Sequence, residues 1–494
     1  MSKFILALDQ GTTSSRAIIY NEAFKREITQ QQEFKQFYPQ PSWVEHDPEL
    51  IWKTQLATAQ LALQESEISS KNISAIGITN QRETTIVWNR ETGIPVYNAI
   101  VWQDRRTADY CKKLILAGHE EMISEKTGLV LDAYFSATKI HWVLENVEGA
   151  RALATAGKLA FGTVDSWLVW KLTNGKTHIT DASNASRTML FNIATLEWDT
   201  ALLDLFQIPK SMLPTVVDSC GELAVTDSEL FGVPIPITGM AGDQQAALFG
   251  QLCTDSGMAK STYGTGCFLM LNTGNQILKS SHKMLSTIGW KMGGEVTYAL
   301  EGSVFIGGAV IQWLRDEMEF FVEAADCETL AEAADDNGGV YFVPALTGLG
   351  APHWDPNARG AIFGITRGTS KANLTRAALE SICFQVNDVL QAMSGDLDSE
   401  ITELRVDGGA AANDLLLQFQ ADISKTKVLK PTQLETTALG VAFLASIGTG
   451  IQTIDSLKNK WSLEKTFLPE MEEKRVKLLR SRWNEAVKRS LGWN

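Results

Sequence analysis

The chain has 494 residues, of which 44% are hydrophobic and 21% are charged. This length exceeds the size at which one hydrophobic core stops growing, so two domains are expected, and the composition excludes an intrinsically disordered chain. Because 58 Asp and Glu residues outnumber 44 Lys and Arg residues, the formal net charge of -14 disfavours nucleic acid as a partner.

Cysteine and histidine usage excludes further classes of protein. The six cysteines are scattered without a Cys-x-x-Cys pair, which is typical of a reducing compartment and predicts a cytoplasmic protein without a disulfide or zinc framework. The six histidines show no metal-ligand spacing. No apolar stretch approaches the length of a membrane span, so we expect no membrane insertion.

The first predicted elements form a hairpin. Residues 4–8 are apolar, residues 16–20 are again strand-like, and a polar turn containing glycine joins them. Asp9 ends the first run too early for a secretory leader, so we interpret this run as a strand. A helix is predicted over residues 48–67, with Asp47 as its N-cap.

The turn of this hairpin has the chemistry of a phosphate cradle. Gly11 permits close approach of the backbone, and the residues after it supply hydroxyl and N–H donors. Asp9 at the strand end can hold hydrated magnesium, and Arg16 can meet phosphate charge. Taken alone, an ordinary polar hairpin turn accounts for the same residues equally well. The candidate nucleotide contacts in this turn are Thr12, Thr13, Ser14 and Arg16.

A polar insert interrupts the next predicted strands. Residues 80–83 separate the apolar runs 75–78 and 84–88, which indicates a strand end that faces a cleft. Arg82 and Glu83 can hydrogen-bond vicinal hydroxyl groups as donor and acceptor. Strict alternation would place these two neighbours on opposite faces, so both can line one pocket only at an irregular strand end. The alternative is an exposed, ion-paired strand tip.

Three further side chains suit the binding and activation of a hydroxyl acceptor. Asp243 begins a predicted helix after a glycine-rich turn and is the candidate general base. Its alternative role is that of an N-cap aspartate, which is common at helix starts. Trp102 and Tyr134 lie in polar surroundings and can offer aromatic faces to the carbon edge of a polyol.

A change in organisation near residues 250–257 predicts the boundary between two domains, 1–250 and 251–494. A second glycine-rich turn, at residues 262–266, lies between two predicted strands just after this boundary. It echoes the first turn at the same place in the other half of the chain. Two phosphate hairpins, one in each domain, are what a duplicated actin-like fold requires.

A glycine pair forms a third candidate phosphate contact. Gly408 and Gly409 follow a predicted strand and precede an amphipathic helix over residues 415–423, where Asn413 is either a nucleotide contact or the N-cap. The pair alone is weak, but with the two hairpins it favours nucleotide binding. Strand-like and helix-like segments alternate along the chain, which predicts a mixed α/β fold. The charged tail, residues 460–488, predicts a solvated terminal helix.

Several longer motifs resemble the FGGY family of carbohydrate kinases, and the similarity covers nearly the whole chain. Residues 134–146 match one family signature, and residues 360–380 match the other. Within the family, the branch that phosphorylates glycerol is indicated by residues 43–47, 80–85, 101–107 and 242–250. The resemblance implies two ribonuclease H-like domains of the actin/Hsp70 type with the catalytic cleft between them.

The resemblance also implies an activity and a set of site residues. We expect ATP- and Mg²⁺-dependent phosphorylation of glycerol to sn-glycerol 3-phosphate with release of ADP, in a homo-oligomer such as a dimer or tetramer. Asp243 would be the catalytic base, and Asp9 would lie near magnesium. The implied glycerol contacts are Arg82, Glu83, Trp102, Tyr134, Asp243, Gln244 and Phe268. The implied nucleotide contacts are Thr12, Thr13, Ser14, Arg16, Thr265, Gly308, Gln312, Gly409 and Asn413.

Two departures from the family concern regulation. Some bacterial members bind fructose 1,6-bisphosphate through a loop rich in glycine and arginine, whereas this chain has a shorter segment at residues 225–234. Other members carry a phosphorylatable histidine in the corresponding loop, but here no histidine lies between His178 and His282. Neither mode of regulation is therefore expected.

Two alternative functions remain open at this stage. A sister kinase would phosphorylate a larger sugar such as xylulose or gluconate, although Arg82, Glu83 and Trp102 favour glycerol. A non-catalytic nucleotide switch would share only the fold, because fold alone does not assign function. Such a switch predicts ATP hydrolysis without a phosphorylated product.

Overall fold

The computed structural model describes residues 3–355 and 357–493 and has a mixed α/β architecture built on two large sheets. The strands in the first half of the chain are β1 (Phe4–Gln10), β2 (Ser14–Tyr20), β3 (Arg26–Glu33), β4 (Glu45–His46), β5 (Ile73–Asn80), β6 (Ile86–Asn89), β7 (Ala99–Ile100), β8 (Leu159–Gly162), β9 (Ile179–Asp181), β10 (Phe191–Asn192), β11 (Glu197–Trp198), β12 (Thr215–Val217), β13 (Cys220–Val225) and β14 (Pro236–Gly242). The later strands are β15 (Ala259–Tyr263), β16 (Cys267–Gly274), β17 (Leu285–Met292), β18 (Glu295–Val304), β19 (Tyr341–Val343), β20 (Ala361–Phe363), β21 (Glu403–Asp407), β22 (Lys427–Pro431) and β23 (Leu463–Phe467).

The α-helices follow the same division of the chain. Those in the first half are α1 (Pro48–Glu65), α2 (Ala108–Leu116), α3 (Glu120–Thr127), α4 (Ser136–Asn146), α5 (Ala150–Thr155), α6 (Val164–Leu172), α7 (Ala182–Ala185), α8 (Thr200–Phe206), α9 (Ser228–Phe231) and α10 (Asp243–Gly250). The later helices are α11 (Ala309–Asp316), α12 (Asp326–Glu332), α13 (Lys371–Leu397), α14 (Asp414–Ser424), α15 (Thr436–Gly448), α16 (Ile454–Lys458) and α17 (Glu473–Ser490). Short 3₁₀ helices cover Ser70–Asn72, Lys210–Met212 and Gly409–Ala412.

The first sheet has six strands in the order β13-β14-β5-β1-β2-β3. β1 and β2 form the predicted antiparallel hairpin, and β1 is parallel to β5, which is parallel to β14. α1 packs on this sheet, and its side-chain cap is the predicted one: the Asp47 carboxylate accepts a hydrogen bond from the Glu49 amide at 2.9 Å. The carboxyl ends of three parallel strands therefore lie side by side at one edge.

The second sheet repeats this arrangement with seven strands in the order β17-β18-β16-β15-β21-β22-β23. β15 and β16 form an antiparallel hairpin, and β15 is parallel to β21, which is parallel to β22. In both sheets, a hairpin is thus followed outward by two parallel strands and then by an antiparallel edge strand. This duplication agrees with the predicted fold of two actin-like halves. The exact division at residue 250 stays a prediction.

A close-packed helix pair joins the two halves. α15 comes late in the chain but packs against α10 and against β14, β5 and β1 of the first sheet. The apolar cluster around this contact takes Ala246 and Phe249 from α10 and Val441 and Phe443 from α15. The helices approach closely because glycines face backbone atoms: a Cβ at Gly440 would lie 1.8 Å from the carbonyl oxygen of Ala246.

Substitution of Gly440 should therefore separate the two helices. We expect Gly440→Ala to lower the free energy of unfolding by about 1–3 kcal/mol, because overpacking a filled contact forces backbone shifts. Urea unfolding followed by circular dichroism measures the change. Gly368→Ala is the matched control, since a Cβ at Gly368 would have only the Thr366 hydroxyl nearby, at 3.9 Å. Equal stability of the two variants would contradict the tight contact.

The C-terminal tail differs from its prediction. It contains β23 at the edge of the second sheet and then α17, which is not solvated on all sides. Val476, Trp483, Ala486 and Val487 are buried, and the Trp483 ring stacks on Phe384 with centroids 5.1 Å apart. Because the tail is densely charged, its sequence pattern did not reveal this apolar face. Among the described residues, no helix is both long and apolar enough to span a membrane.

Candidate active site

The parallel strands of the first sheet bring three predicted site segments to one edge. In the strand register, Asn80 at the end of β5 pairs with Gln10 at the end of β1 and with Gly242 at the end of β14. The chain continues from these three positions into the first glycine turn, the polar insert and Asp243. The carboxyl edge of such a sheet is where α/β folds place their sites.

Arg82 and Glu83 occupy the irregular strand end that their joint use requires. Glu83 has a φ of +59°, a left-handed conformation that breaks strand alternation just beyond Asn80, the last residue of β5. The Arg82 Nε lies 3.0 Å from the Asp243 Oδ1, so the polar insert contacts the candidate base directly. Arg82 is 3% and Glu83 1% exposed, which excludes the alternative of an exposed strand tip.

Two residues that sequence reasoning missed complete a buried ionic network. The Glu301 carboxylate of β18 accepts hydrogen bonds from both terminal nitrogens of Arg82 and, at 3.0 Å, from Arg187 Nη2. Arg187 Nε in turn donates to Glu83 Oε1 at 2.7 Å. Both residues are fully buried. Burial alone would raise the pKa of Glu301, but the guanidiniums of Arg187 and Arg82 outweigh it and lower that pKa to about 2.

Asp243 is more exposed than this network. Its side chain is 32% exposed, against 2% for that of Arg82. Gly242 caps α10, so Asp243 is the first residue inside the helix and is not its N-cap. Burial raises the pKa of Asp243 above its ordinary value, while the Arg82 cation and the Gln244 amide, 2.6 Å away, act in the opposite direction. A raised pKa and an accessible oxygen suit a general base.

Aromatic side chains connect the acceptor side to the first glycine turn. The Trp102 indole N–H donates to the Thr12 hydroxyl at 3.0 Å, and its ring meets Tyr134 edge-on with centroids 5.6 Å apart. The buried Lys139 Nζ donates to the Tyr134 carbonyl at 2.5 Å. Trp102 therefore spans two sets of residues that the sequence assigned to different substrates.

The first glycine turn is closed by its own backbone and stays accessible. The Gly11 amide donates to the Ser14 carbonyl at 2.9 Å, and neither Thr12 nor Thr13 is fully buried. Arg16 pairs with Glu435, the residue before α15. Burial, together with the nearby Glu435 and Asp243 carboxylates, raises the pKa of Asp9 to about 6 despite Arg16.

The second glycine turn is assembled from three segments. The Gly308 amide donates to the Gly264 carbonyl at 2.8 Å and the Ala309 amide to Thr265 at 3.1 Å, so the start of α11 lies on the β15–β16 turn. Gly408 follows β21, which pairs with β15, and a Cβ there would lie 2.6 Å from the Tyr263 carbonyl oxygen. The structure thus joins the second turn with the glycine pair.

The remaining predicted nucleotide contacts differ in their surroundings. Thr265, Gln312 and Gly409 are exposed on the turn, on α11 and on the 3₁₀ helix after β21. The Asn413 side-chain Oδ1 accepts from the Leu416 amide at 2.8 Å, so Asn413 does cap α14, although its side chain remains partly exposed. Phe268 on β16 and Gln244 on α10 both accept hydrogen bonds from the buried Lys260, another residue that the sequence did not single out.

The donor set favours a hard cation held together with phosphate oxygens. Within residues 3–355 and 357–493, no group of three or more His, Cys, Asp or Glu side chains is arranged to hold a metal by itself. Asp9 nevertheless has two carboxylates near enough to raise its pKa, and a cation would relieve that repulsion. Mg²⁺ is commonly bound through one or two carboxylates, water and substrate phosphates, so Asp9 fits this ion.

Comparisons with known proteins agree with this geometry. The model of the FGGY carbohydrate kinase N-terminal domain matches residues 4–250, and that of the C-terminal domain matches residues 259–449. The chain is 58% identical to a glycerol kinase of Parabacteroides distasonis over 494 residues, covering 100% of this chain and 99% of the relative. It is 57% identical to a glycerol kinase of Koribacter versatilis, with 99% of each chain covered.

Solved structures show the same architecture. A Plasmodium falciparum glycerol kinase with ADP superposes with a TM-score of 0.94 at 36% identity, covering 99% of this chain and 98% of that one. A gluconate kinase from Lactobacillus acidophilus superposes with a TM-score of 0.88 at 22% identity, covering 99% and 97%, and at this identity the likeness concerns the fold alone.

Proposed function

The chain belongs to the FGGY family of carbohydrate kinases, and we propose that it transfers the γ-phosphoryl group of ATP to glycerol, yielding sn-glycerol 3-phosphate and ADP. The observation that carries the proposal is the contact between Arg82 and Asp243 at the carboxyl edge of the first sheet, where the first glycine turn also begins. Relatives named glycerol kinase match the full length at 55–58% identity, which supports glycerol over a larger acceptor.

Phosphoryl transfer asks the protein for positioning and charge stabilisation more than for covalent chemistry. In the proposed mechanism, Arg82 donates to a glycerol hydroxyl and Glu83 accepts from its neighbour. The ionised Asp243 accepts the proton of the attacking hydroxyl as the O–P bond forms. Trp102, Tyr134 and Phe268 line the carbon edge, and Gln244 supplies a further polar contact.

The nucleotide would lie between the two glycine turns. The proposed contacts are Thr12, Thr13, Ser14, Arg16, Thr265, Gly308, Gln312, Gly409 and Asn413. Bound Mg²⁺ would supply charge neutralisation at the phosphates, with Asp9 holding it through water. Arg16 pairs with Glu435 and lies near Asp9, the residue proposed to hold Mg²⁺. Its guanidinium can therefore contact the phosphates when ATP binds. We also place the enzyme in the cytoplasm as a homo-oligomer.

A coupled ADP-release assay tests the proposed function. Glycerol, xylulose, gluconate and a blank without acceptor are compared, and the product is identified by mass spectrometry. Strong dependence on glycerol with formation of glycerol 3-phosphate is expected. ADP release without acceptor would instead indicate a nucleotide switch, and preference for a sugar would indicate a sister kinase.

Closure of the cleft is a second expectation of the mechanism, because a wet site would hydrolyse ATP. Small-angle scattering should show a smaller radius of gyration when glycerol and a non-hydrolysable ATP analogue are both present. An unchanged radius would count against closure.

The hydrogen bond from Trp102 to Thr12 gives a mutational test of the link between the two substrates. Trp102→Phe removes a bond worth about 1 kcal/mol, so the KM for ATP should rise about fivefold although Trp102 is proposed to contact glycerol. Steady-state kinetics with each substrate varied measure the effect. Trp198→Phe is the control, since that indole N–H donates to the Pro214 carbonyl elsewhere. A change confined to the glycerol KM would contradict the link.

A further inference from the structure

Lys260 is a buried cation between the acceptor side and the second glycine turn. It lies on β15, its side chain is fully buried, and the mechanism above assigns it no task. Its Nζ donates to the side-chain oxygen of Gln244, to the Thr262 hydroxyl at 2.7 Å and to the Phe268 carbonyl at 3.3 Å. One ammonium thus joins α10 of the first half to the β15–β16 hairpin of the second.

The contacts suit a charged Lys260. An ammonium has three N–H donors, and the oxygens of Gln244, Thr262 and Phe268 can accept all three. Burial lowers the pKa of Lys260, but the carboxylates of Asp407 and Asp243 act against burial. A buried cation with this many partners is retained only where its surroundings compensate its desolvation.

The position of Lys260 places its charge against the candidate base. Thr262 and Phe268 are cross-strand partners in the hairpin whose turn carries Thr265, and Gln244 directly follows Asp243. Arg82 from the polar insert contacts Asp243 at 3.0 Å, and Glu301 from β18, Lys260 from β15 and Asp9 from β1 lie near enough to interact with it electrostatically. Lys260 and Arg82 are the cations among these four.

We propose that Lys260 is a positioning residue for phosphoryl transfer, whose buried ammonium holds the start of α10 against the second glycine turn and places a positive charge beside Asp243. The inference rests on the proposed function. It gives the two halves a shared charged contact, so the spacing between base and nucleotide depends on a residue outside the proposed glycerol and nucleotide contacts.

Three substitutions separate charge from packing. Lys260→Met removes the charge and every donor, Lys260→Gln removes the charge but keeps an N–H₂ group, and Lys260→Arg keeps the charge. We expect kcat of Lys260→Met at neutral pH to fall by about 10- to 100-fold, as for loss of a hydrogen bond to a charged group. Lys171→Met is the matched control, since Lys171 is ion-paired with Glu49 on distant helices.

The pH profile of kcat is the decisive readout. If the role of Lys260 were merely structural, its substitution would lower kcat by the same factor at every pH and would not shift the acid limb. Without the cation, Asp243 is harder to ionise, so the acid limb should move upward by about one pH unit in Lys260→Met and Lys260→Gln. Lys260→Arg and Lys171→Met should keep the wild-type limb. Thermal unfolding shows whether each variant is folded. If Lys260→Met does not fold, the pH profile of Lys260→Gln alone is compared with that of the wild type.

The outcomes distinguish this inference from the proposed function. If Lys260→Met and Lys260→Gln still turn over glycerol and their acid limbs superimpose on the wild-type limb, the proposed role of Lys260 is overturned but the proposed function is not. A wild-type chain without glycerol-dependent ADP release overturns the proposed function and this inference together. An upward shift in both neutral variants, absent from Lys260→Arg, supports the inference.

Discussion

Replacing Asp243 by asparagine is expected to remove most phosphoryl transfer while glycerol still binds. The amide keeps the shape of the side chain and one oxygen but cannot accept the hydroxyl proton. General base catalysis contributes typically about 10²- to 10⁴-fold, so kcat should fall by that factor. Glycerol affinity, measured by calorimetry, should change little, because the binding contacts of Arg82 and Glu83 remain.

The control for this substitution is Asp204→Asn, which changes an exposed aspartate on α8 and should leave kcat unchanged. An Asp243→Asn enzyme with wild-type turnover would show that another group accepts the proton. A loss of glycerol binding equal to the loss of kcat would instead make Asp243 a binding residue.

The pH dependence of the wild-type enzyme follows from the same residue. Catalysis needs the ionised carboxylate, and burial raises the pKa of Asp243 above the ordinary value of 3.8. Activity is therefore present at higher pH and is lost as the pH falls through this raised pKa. The acid limb of kcat should lie above the range of an exposed aspartate, and a limb at or below pH 3.8 would contradict the assignment.

Local pattern was sufficient to predict the two hairpins and the first helix. The β1–β2 hairpin depends on two short apolar runs joined by a glycine turn, and α1 depends on helical periodicity with an N-cap at Asp47, so neighbours along the chain specify both. The irregular strand end at Glu83 was also predictable, because two polar neighbours can share one pocket only if alternation breaks. The positive φ of Glu83 is the backbone conformation that interrupts the alternation.

Contacts between distant segments were not predictable from local pattern. Glu301 pairs with Arg82 across 219 positions of sequence, and Lys260 lies in the short strand β15, although a lone lysine is ordinarily exposed. Buried charges carry no periodicity, since their partners come from other elements. The one available signal was the placement of a lysine between the small residues Ala259 and Ser261. The buried face of α17 was missed for a related reason, because charge dominates its composition.

The two glycine turns and the buried ionic network have different physical tasks. The turns carry partly exposed and exposed residues, whereas Arg82, Glu83, Arg187 and Glu301 are almost fully buried and hold one another in place. Arg82 belongs to the network and also contacts Asp243. The orientation of the acceptor side thus depends on Glu301, a residue on the second sheet.

Glu301→Gln is therefore expected to have the largest effect on stability. It removes the charge that compensates two buried guanidiniums, and breaking a buried ion pair from one side typically costs about 3–5 kcal/mol. The KM for glycerol should rise as well, because Arg82 loses its fixed orientation. Urea unfolding and steady-state kinetics measure the two effects. Glu295→Gln, at the exposed start of the same strand, should change stability by no more than about 0.5 kcal/mol.

The acid stability of the wild-type chain gives an independent check on this network. The pKa of Glu301 falls from 4.5 to about 2 in the folded state, so its contribution to stability is fully present above pH 4.5 and is lost as the pH falls toward 2. The difference in unfolding free energy between wild type and Glu301→Gln should accordingly shrink over that interval. A difference that stayed constant down to pH 2 would mean that packing at β18, and not the charge of Glu301, holds Arg82 and Arg187 together.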